Sequence, residues 1–282
     1  MNKLNFAFFG TPNIASETLE ILKNAGYLPS VIITSIDKQA GRGMHLTPSA
    51  VSIWAEKNNV TCLKPEKITQ TFIDEFKKLN LDLSIVVAYG KILPEVLIQT
   101  PKLGTVNIHY SLLPKYRGAS PLEATLLNGD TETGVSIQQM AYKLDSGPII
   151  VSKKISITIN ETKEDLKNKL VDLGGNLLCE ILPNLINKNI QAEEQDESKA
   201  TFCKKINKED GEINLNGNPI ENYNKYRAFY GWPGVYFFTV KNNKKIRVKI
   251  KQAIYEDNLF IIKKVTPEGK KEILYVDFLK QK

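Results

Sequence analysis

Long apolar runs, histidine and cysteine are scarce in this sequence of 282 residues, and each scarcity excludes a class of protein. No apolar run approaches the ~20 residues that a helix needs to span a bilayer. The first residues lead into a strand pattern rather than the apolar region of a signal peptide. We therefore predict a cytoplasmic protein that makes no membrane contact.

The three cysteines, Cys62, Cys179 and Cys203, are far apart and have no histidine close to them in sequence. An odd number of scattered thiols argues against a disulfide framework, and the lack of neighbouring histidines argues against a zinc site. We expect reduced cysteines that mostly serve packing, and no bound metal ion.

The formal net charge of +7 is unevenly distributed along the chain. Residues 1–203 carry 21 basic and 22 acidic side chains, whereas residues 204–282 carry 17 basic and 9 acidic ones. A basic excess often serves only solubility, but here it is confined to one part of the chain. This segregation favours a polyanionic partner for the C-terminal part.

The first part of the chain has the pattern of an α/β domain. An apolar strand at residues 4–9, an amphipathic stretch up to Gly26 and a second strand at residues 31–36 predict a parallel sheet with right-handed crossovers. The continuous apolar run at residues 83–88 suits a strand that is covered on both faces. A dinucleotide site fits poorly, because Gly10 has no G-x-G-x-x-G context. We predict a Rossmann-like, mostly parallel sheet with helices on both faces.

The C-terminal part has a different pattern. Short strands are predicted at residues 235–240, 245–253, 259–265 and 273–278. Several short strands separated by turns suggest a small antiparallel β-barrel. The polar and charged segment before this part has the composition of a linker. We predict a first domain at residues 1–187, a linker at residues 188–205 and a basic domain at residues 206–282.

Asn107 and His109 are two residues apart in a predicted strand, so their side chains leave the same face where the strand ends. A carboxamide can donate a hydrogen bond to a developing oxyanion, and an imidazole can handle the proton that an attacking amine loses. For an isolated Asn-x-His pattern, two polar residues that merely end a strand are the more common interpretation. The chain has only one other histidine, His45.

Asp145 supplies a third group for this site. It follows an apolar strand at residues 134–140 that could lie beside the first strand. A carboxylate next to His109 would orient the ring and favour its protonated form, as the third member of a catalytic triad does. The Asp-Ser-Gly sequence by itself is also ordinary turn chemistry.

The residues that follow the first strand are Ser111, Leu112, Leu113 and Pro114. Because Pro114 has no N–H to donate and disfavours helical geometry at Leu113, we predict an extended backbone with some unpaired polar groups. A ligand could bind to those groups. Any strand that ends before a proline has the same pattern, however.

These motifs together resemble the folate-dependent formyltransferases. The matching elements are Asn-x-His, the Ser-Leu-Leu-Pro that follows it, Arg-Gly-Ala at residues 117–119 and Asp-Ser-Gly-Pro at residues 145–148. The resemblance covers the whole chain, from Phe-Phe-Gly-Thr-Pro at residues 8–12 through Ala-Gly-Arg-Gly at residues 40–43 to the basic C-terminal part. It is closest to the branch of that family that formylates methionyl initiator tRNA.

The resemblance implies a role for each element. Asn107, His109 and Asp145 are implied to be the catalytic trio. The implied co-substrate is 10-formyltetrahydrofolate, and its site is implied to include Ser111, Leu112, Leu113 and Pro114. The C-terminal part is implied to be an OB-like barrel that binds tRNA, although the strand pattern alone is also compatible with another five-stranded barrel.

Two elements are expected to contact tRNA. The resemblance implies that the loop at residues 37–49 enters the acceptor stem through Arg42, although the same composition occurs in ordinary surface loops. Met44 and His45 stand where relatives often carry lysines. In the C-terminal part, four cations alternate with apolar residues and would share one strand face, as a phosphate track or as a solvated face. These cations are Lys245, Arg247, Lys249 and Lys251.

The predicted function is transfer of a formyl group from 10-formyltetrahydrofolate to the α-amino group of methionyl initiator tRNA, by an enzyme that acts as a monomer. Two alternatives share the catalytic trio: a nucleotide-sugar N-formyltransferase and a folate hydrolase-type module. A third alternative is a non-catalytic RNA-binding protein. Arg42 and the basic C-terminal part favour tRNA over a sugar, and the intact trio favours an enzyme.

Overall fold

The computed structural model describes residues 4–40, 45–241 and 243–280. The helices are α1 (Asn13–Asn24), α2 (Ala50–Lys57), α3 (Gln70–Lys78), α4 (Glu95–Gln99), α5 (Pro121–Leu127), α6 (Lys163–Ile186), α7 (Pro219–Ala228) and α8 (Tyr275–Lys280). The strands are β1 (Phe6–Gly10), β2 (Val31–Ile33), β3 (Lys38–Ala40), β4 (His45–Thr47), β5 (Thr61–Leu63), β6 (Leu83–Val87), β7 (Thr105–His109), β8 (Arg117–Gly118), β9 (Glu132–Gln139), β10 (Ile149–Ser156), β11 (Phe202–Cys203), β12 (Val235–Lys241), β13 (Lys244–Glu256), β14 (Leu259–Pro267) and β15 (Ile273–Leu274). Among the helices of the described residues, none is long and apolar enough to cross a membrane.

The chain divides into two compact units. The first comprises Met1–Arg117, Gly134–Lys154 and Lys169–Phe202. The second comprises Gly118–Thr133, Ile155–Asn168 and Cys203–Lys282. The second unit thus includes two segments that precede its main, C-terminal part in the sequence. The division into two domains with a linker at residues 188–205 stays a prediction.

The first unit is built on a seven-stranded sheet in the order β10-β9-β7-β6-β1-β2-β5. Neighbouring strands from β7 to β5 in this order are parallel, and β9 runs antiparallel to β7. Helices flank this sheet, which confirms the prediction of a mostly parallel α/β sheet. The carboxyl ends of the parallel strands meet at one edge, and the residues that follow β7 lie at that edge.

Apolar residues at regular spacing explain the packing of this sheet. All residues of β1 and of β6 are buried, as strands covered on both faces require. α1 buries Ala15, Leu19 and Leu22, which share one helical face. Full burial of a leucine side chain stabilises the fold by about 1.5–3 kcal/mol. This core fixes the strands whose ends carry the candidate site.

The second unit contains an antiparallel sheet in the order β12-β13-β14-β15. The predicted strand at residues 273–278 is wrong beyond its first two residues, because α8 follows β15 directly. This short helix buries Phe278 and places Asp277 in its first turn and Lys280 in its last turn. Those charges complement the helix dipole. The described residues show a four-stranded antiparallel sheet with a terminal helix.

Candidate active site

The end of β7 carries two of the predicted site residues. Asn107 and His109 lie on the same face of this strand, because they are two residues apart. His109 is only 5% exposed, whereas Asn107 is partly exposed. β9 pairs with β7 so that Gln138 lies opposite Asn107 and Ser136 lies opposite His109. The prediction that the strand before Asp145 lies beside this one is therefore confirmed.

Asp145 lies next to His109 in the folded chain. Its Oδ2 is 3.8 Å from Nδ1 of His109, and its Oδ1 accepts a 3.1 Å hydrogen bond from Nε2 of Gln138. The side chains of His109 and Asp145 are 6% and 12% exposed. Water therefore screens the attraction between imidazolium and carboxylate less than it would at the surface.

The backbone around Asp145 holds the carboxylate in place. Asp145 has a φ of 47°, in the left-handed region that aspartate adopts more readily than most residues with a side chain. Gly147 packs so closely that a Cβ there would lie 1.8 Å from the carbonyl oxygen of Gln139. Any side chain at this position would displace the turn and Asp145 with it.

The imidazole of His109 meets hydrogen-bond acceptors on two sides. Its Nε2 donates to the carbonyl oxygen of Tyr116 at 2.9 Å, and its Nδ1 faces the carboxylate of Asp145. A neutral imidazole donates from one nitrogen, whereas the imidazolium donates from both. The structure therefore places an acceptor near each ring nitrogen of His109 at the end of β7.

Tyr110 follows His109 but remains uncharged. Its side chain is buried, and its hydroxyl lies 3.4 Å from Oγ1 of Thr18. Burial raises the pKa of the Tyr110 phenol well above its ordinary range. Tyr110 therefore cannot serve as a phenolate base at neutral pH.

The Ser-Leu-Leu-Pro segment differs from its prediction. It turns directly after β7, and Ser136 holds this turn. Oγ of Ser136 accepts from the N–H of Leu113 at 3.0 Å and donates to the carbonyl oxygen of Ser111 at 2.9 Å. The carbonyl groups of Leu112 and Pro114 accept backbone hydrogen bonds. The prediction of an extended backbone is therefore wrong, because the segment turns and a hydroxyl from β9 holds it. The prediction that some of its polar groups are unpaired stays a prediction.

Arg42 lies outside the described residues. The chain on either side of it forms a hairpin, in which Lys38 pairs with Thr47 and Ala40 pairs with His45. The predicted loop at residues 37–49 therefore contains a two-stranded ladder in its described part. This hairpin follows β2, whose carboxyl end lies at the same edge of the sheet as that of β7.

The alternation in β13 is confirmed. Its four predicted cations are exposed, whereas Val248 and Ile250 between them are buried. The alternation ends at Gln252, where the pairing of β13 with β14 is irregular. The exposed cations are Lys245, Arg247, Lys249 and Lys251.

Two of these cations contact aromatic rings of β12. Nζ of Lys245 lies 4.3 Å from the ring centre of Phe238, and Cζ of Arg247 lies 5.4 Å from that of Tyr236. Both distances are within the range of a cation–π interaction. This face therefore combines positive charge with aromatic surface, a combination that suits nucleic-acid binding.

Sequence reasoning missed three residues that contact this site, namely Gln138, Arg117 and Gln195. Gln138 could have been found, because it and Ser136 are polar residues two apart that alternate with the apolar Val135 and Ile137 of β9. Arg117 belongs to the Arg-Gly-Ala motif, and that motif gives no sign of its contact with Gln195. Gln195 lies in a charged segment, and no feature of its composition distinguishes it from its neighbours.

Cys62, Cys179 and Cys203 form no disulfide bond and are partly buried. Burial raises the pKa of Cys62 and of Cys179, which disfavours their reactive thiolate forms. In residues 4–40, 45–241 and 243–280, no group of three or more His, Cys, Asp or Glu side chains is arranged to hold a metal ion.

Comparison with known proteins shows the family. A family model described as Formyl transferase matches residues 3–182, and one described as Formyl transferase, C-terminal domain, matches residues 205–260. A methionyl-tRNA formyltransferase of Thermotoga maritima is 41% identical over 236 residues, which are 83% of this chain and 75% of that protein. One of Caldicellulosiruptor saccharolyticus is 36% identical over 259 residues, which are 91% of this chain and 82% of that protein.

Two solved structures share the fold. The methionyl-tRNA formyltransferase from Clostridium thermocellum has a TM-score of 0.62 at 17% identity, over 94% of this chain and 98% of that chain. WlaRD, a sugar 3N-formyl transferase solved in the presence of dTDP and 5-N-formyl-THF, has a TM-score of 0.63 at 23% identity, over 96% of this chain and 100% of that chain. At these identities the structures show the fold alone. The two family models and the relatives that are 36% and 41% identical show that the chain belongs to the methionyl-tRNA formyltransferase family.

Proposed function

We propose that this enzyme transfers the formyl group of 10-formyltetrahydrofolate to the α-amino group of methionyl initiator tRNA. The observation that carries the proposal is the placement of His109 against Asp145, with Asn107 on the same strand face. These residues lie at the carboxyl edge of a parallel sheet, where open α/β folds bind their ligands. The relatives that are named methionyl-tRNA formyltransferase indicate the acceptor.

The catalytic trio supplies charge stabilisation and proton transfer in this proposal. The folate supplies an activated formyl group, whose bond to the folate nitrogen breaks as the bond to the methionyl nitrogen forms. Asn107 donates a hydrogen bond to the formyl oxygen, and protonated His109 adds positive charge, so the negative charge that develops there is stabilised. Asp145 holds His109 and helps to move the proton of the attacking amine toward the leaving nitrogen.

The Ser-Leu-Leu-Pro segment forms part of the folate site in this proposal. Leu112 and Pro114 are partly exposed and offer an apolar surface to a flat, aromatic co-substrate. Ser111 and Leu113 are buried and fix the turn. We therefore expect direct contacts from Leu112 and Pro114 and an indirect role for the other two residues.

In this proposal, catalysis and tRNA binding belong to different parts of the chain. Residues 1–187 form the catalytic domain, residues 188–205 form a linker and residues 206–282 form a basic domain that binds tRNA, with its strands closed into an OB-like barrel. The excess of 17 basic over 9 acidic side chains in residues 204–282 supports tRNA as the partner. The enzyme acts as a monomer in the cytoplasm.

A two-acceptor assay tests the proposed function. The protein is incubated with 10-formyltetrahydrofolate and either methionyl initiator tRNA or an amino-sugar nucleotide. We expect formyl-methionyl-tRNA in the first reaction and no product in the second. Formylation of the sugar without formylation of the tRNA contradicts the proposal and favours the sugar N-formyltransferase alternative, because the fold is shared with such an enzyme.

Arg42→Ala tests the proposed contact of its loop with the acceptor stem. We expect kcat/KM with methionyl-tRNA to fall by about 10-fold or more, because a hydrogen bond to a charged group contributes about 1.5–3 kcal/mol. A small acceptor, a methionine ester, should react as with the unchanged enzyme. The matched control is Lys77→Ala, which removes an exposed cation at the end of α3. Equal loss with both acceptors means that Arg42 supports the fold or the folate site instead.

Lys249→Gln together with Lys251→Gln tests the phosphate track on β13. These two cations are chosen because Lys245 and Arg247 also pack on aromatic rings. We expect weaker binding of all tRNA species and a log–log salt slope reduced by ~0.7 to 0.9 for each lost phosphate contact. Catalysis at saturating tRNA should be retained, because phosphate contacts position the tRNA without entering the reaction.

The control for this double variant removes the same charge elsewhere in the unit. Lys270 and Lys271 are exposed and lie between β14 and β15, outside the alternating run of β13. Their replacement by glutamine should leave the salt slope close to that of the unchanged enzyme. Equal slopes in the two double variants, or an unchanged slope in the β13 variant, show that the four cations are only a solvated face.

A further inference from the structure

A short segment after α6 flanks the turn that carries the catalytic carboxylate. Glu193 exchanges backbone hydrogen bonds of 2.7 and 2.8 Å with Ile149, just after that turn. Glu197 accepts a 2.9 Å hydrogen bond from Nζ of Lys143, where the turn begins. The segment at residues 193–197 is thus hydrogen-bonded to the chain on both sides of the turn.

Gln195, in the middle of this segment, bonds the turn directly. Its Nε2 lies 2.9 Å from the carbonyl oxygen of Asp145 and 2.6 Å from that of Gly147. These are the residues that define the turn, because Asp145 is in the left-handed region and Gly147 packs against the carbonyl of Gln139. One side-chain amide therefore holds the backbone on both sides of Ser146.

Arg117 fixes the orientation of the Gln195 amide. Nε and Nη2 of Arg117 donate to Oε1 of Gln195 at 3.1 and 2.8 Å. A guanidinium has only donors and a backbone carbonyl has only acceptors, so the amide satisfies both neighbours in one orientation. If the amide were rotated by 180°, its NH2 group would face the donors of Arg117 and its oxygen would face the backbone carbonyls of the turn.

Arg117 is itself a fixed anchor. It is 0% exposed, and its Nη2 also donates to Oε1 of Glu197 at 2.7 Å. Hydrogen bonds from Arg117 and Lys143 lower the pKa of Glu197 to about 2, so this carboxylate stays charged at neutral pH. A buried guanidinium that is paired in this way moves little, because displacement would leave its charge without compensation.

We infer that Gln195 is a positioning residue for formyl transfer, which clamps the turn and thereby sets the place of the Asp145 carboxylate against His109. The inference rests on the proposed catalytic role of Asp145. Gln195 also reaches the side-chain partner of that carboxylate, since its Nε2 lies 3.4 Å from Oε1 of Gln138. A displacement of ~1 Å at a reacting group can lower turnover by ~10².

Gln195→Glu separates the contact with Arg117 from the contacts with the turn. The glutamate keeps an acceptor for Arg117 but loses both donors to the turn, so we expect kcat to fall by about 10-fold while KM for tRNA changes by less than about 2-fold. Gln195→Met removes the hydrogen bonds from Arg117 as well as those to the turn, without adding charge. It should lower kcat at least as much as Gln195→Glu. Gln191→Glu is the matched control, because Gln191 is exposed and lies two residues before this segment, and it should have the kcat of the unchanged enzyme.

A double-mutant cycle distinguishes positioning from general support of the fold. In an Asp145→Asn background, Gln195→Glu should lower kcat by less than about 2-fold, because the group that it positions has already lost its charge. Its pH profile should resemble that of Asp145→Asn alone. An equal loss in both backgrounds, or an unchanged kcat with only a lowered Tm, overturns the inference. Unchanged kcat in Asp145→Asn alone overturns the proposed role of Asp145 and this inference together.

Discussion

Replacing His109 by Ala lowers kcat by ~10² or more and leaves folate binding largely intact. A group that acts in proton transfer or charge stabilisation acts mainly in the transition state, so its loss affects turnover more than ground-state binding. The side chain is nearly enclosed and touches the carbonyl of Tyr116 and the carboxylate of Asp145. Steady-state kinetics and folate titration of the purified variant measure both quantities.

His109→Gln is the informative companion of this variant. Its amide can still donate to the carbonyl of Tyr116, but it cannot carry a proton to or from the reacting groups. If the charge of His109 matters, this variant loses as much turnover as the alanine variant while its Tm stays closer to that of the unchanged enzyme. Near-normal turnover in His109→Gln would falsify the proposed role and leave His109 as a residue that holds the Tyr116 backbone.

The parts of the site that sequence predicted are those with a local periodic signature. Asn107 and His109 share a face because they are two apart in a strand, and no tertiary information is needed to see this. The same period predicted the exposed cations of β13, up to the irregular pairing at Gln252 where the period is lost. The parallel sheet followed from alternating apolar strands and amphipathic helices.

The parts that sequence did not predict depend on partners that are remote along the chain. The hydroxyl of Ser136 satisfies the turn after β7 from 25 positions beyond Ser111. Gln195 holds Asp145 from 50 positions away. A single polar residue in a charged segment has no period, so its partner becomes visible only when the chain is folded. The helix α8 was missed because its six residues are too few for helical spacing to stand out.

Asp145→Asn tests the charge of the third member of the trio with little change in shape. Asparagine adopts the left-handed backbone region as readily as aspartate does, so the φ of 47° is retained without new strain. Its side-chain oxygen can still accept from Nε2 of Gln138. What is lost is the negative charge 3.8 Å from Nδ1 of His109.

We expect kcat of Asp145→Asn to fall by ~10² with KM for both substrates nearly unchanged, because general acid–base groups contribute about 10²- to 10⁴-fold. The pH profile of kcat should also change shape, since proton transfer at this site then proceeds without the carboxylate. Asp145→Ala should lower kcat further, because alanine also loses the hydrogen bond from Gln138 and disfavours the left-handed backbone. If Asp145→Asn keeps both the turnover and the pH profile of the unchanged enzyme, the carboxylate has no part in the chemistry. Asp145 then serves only the turn, and His109 must work without a charged partner.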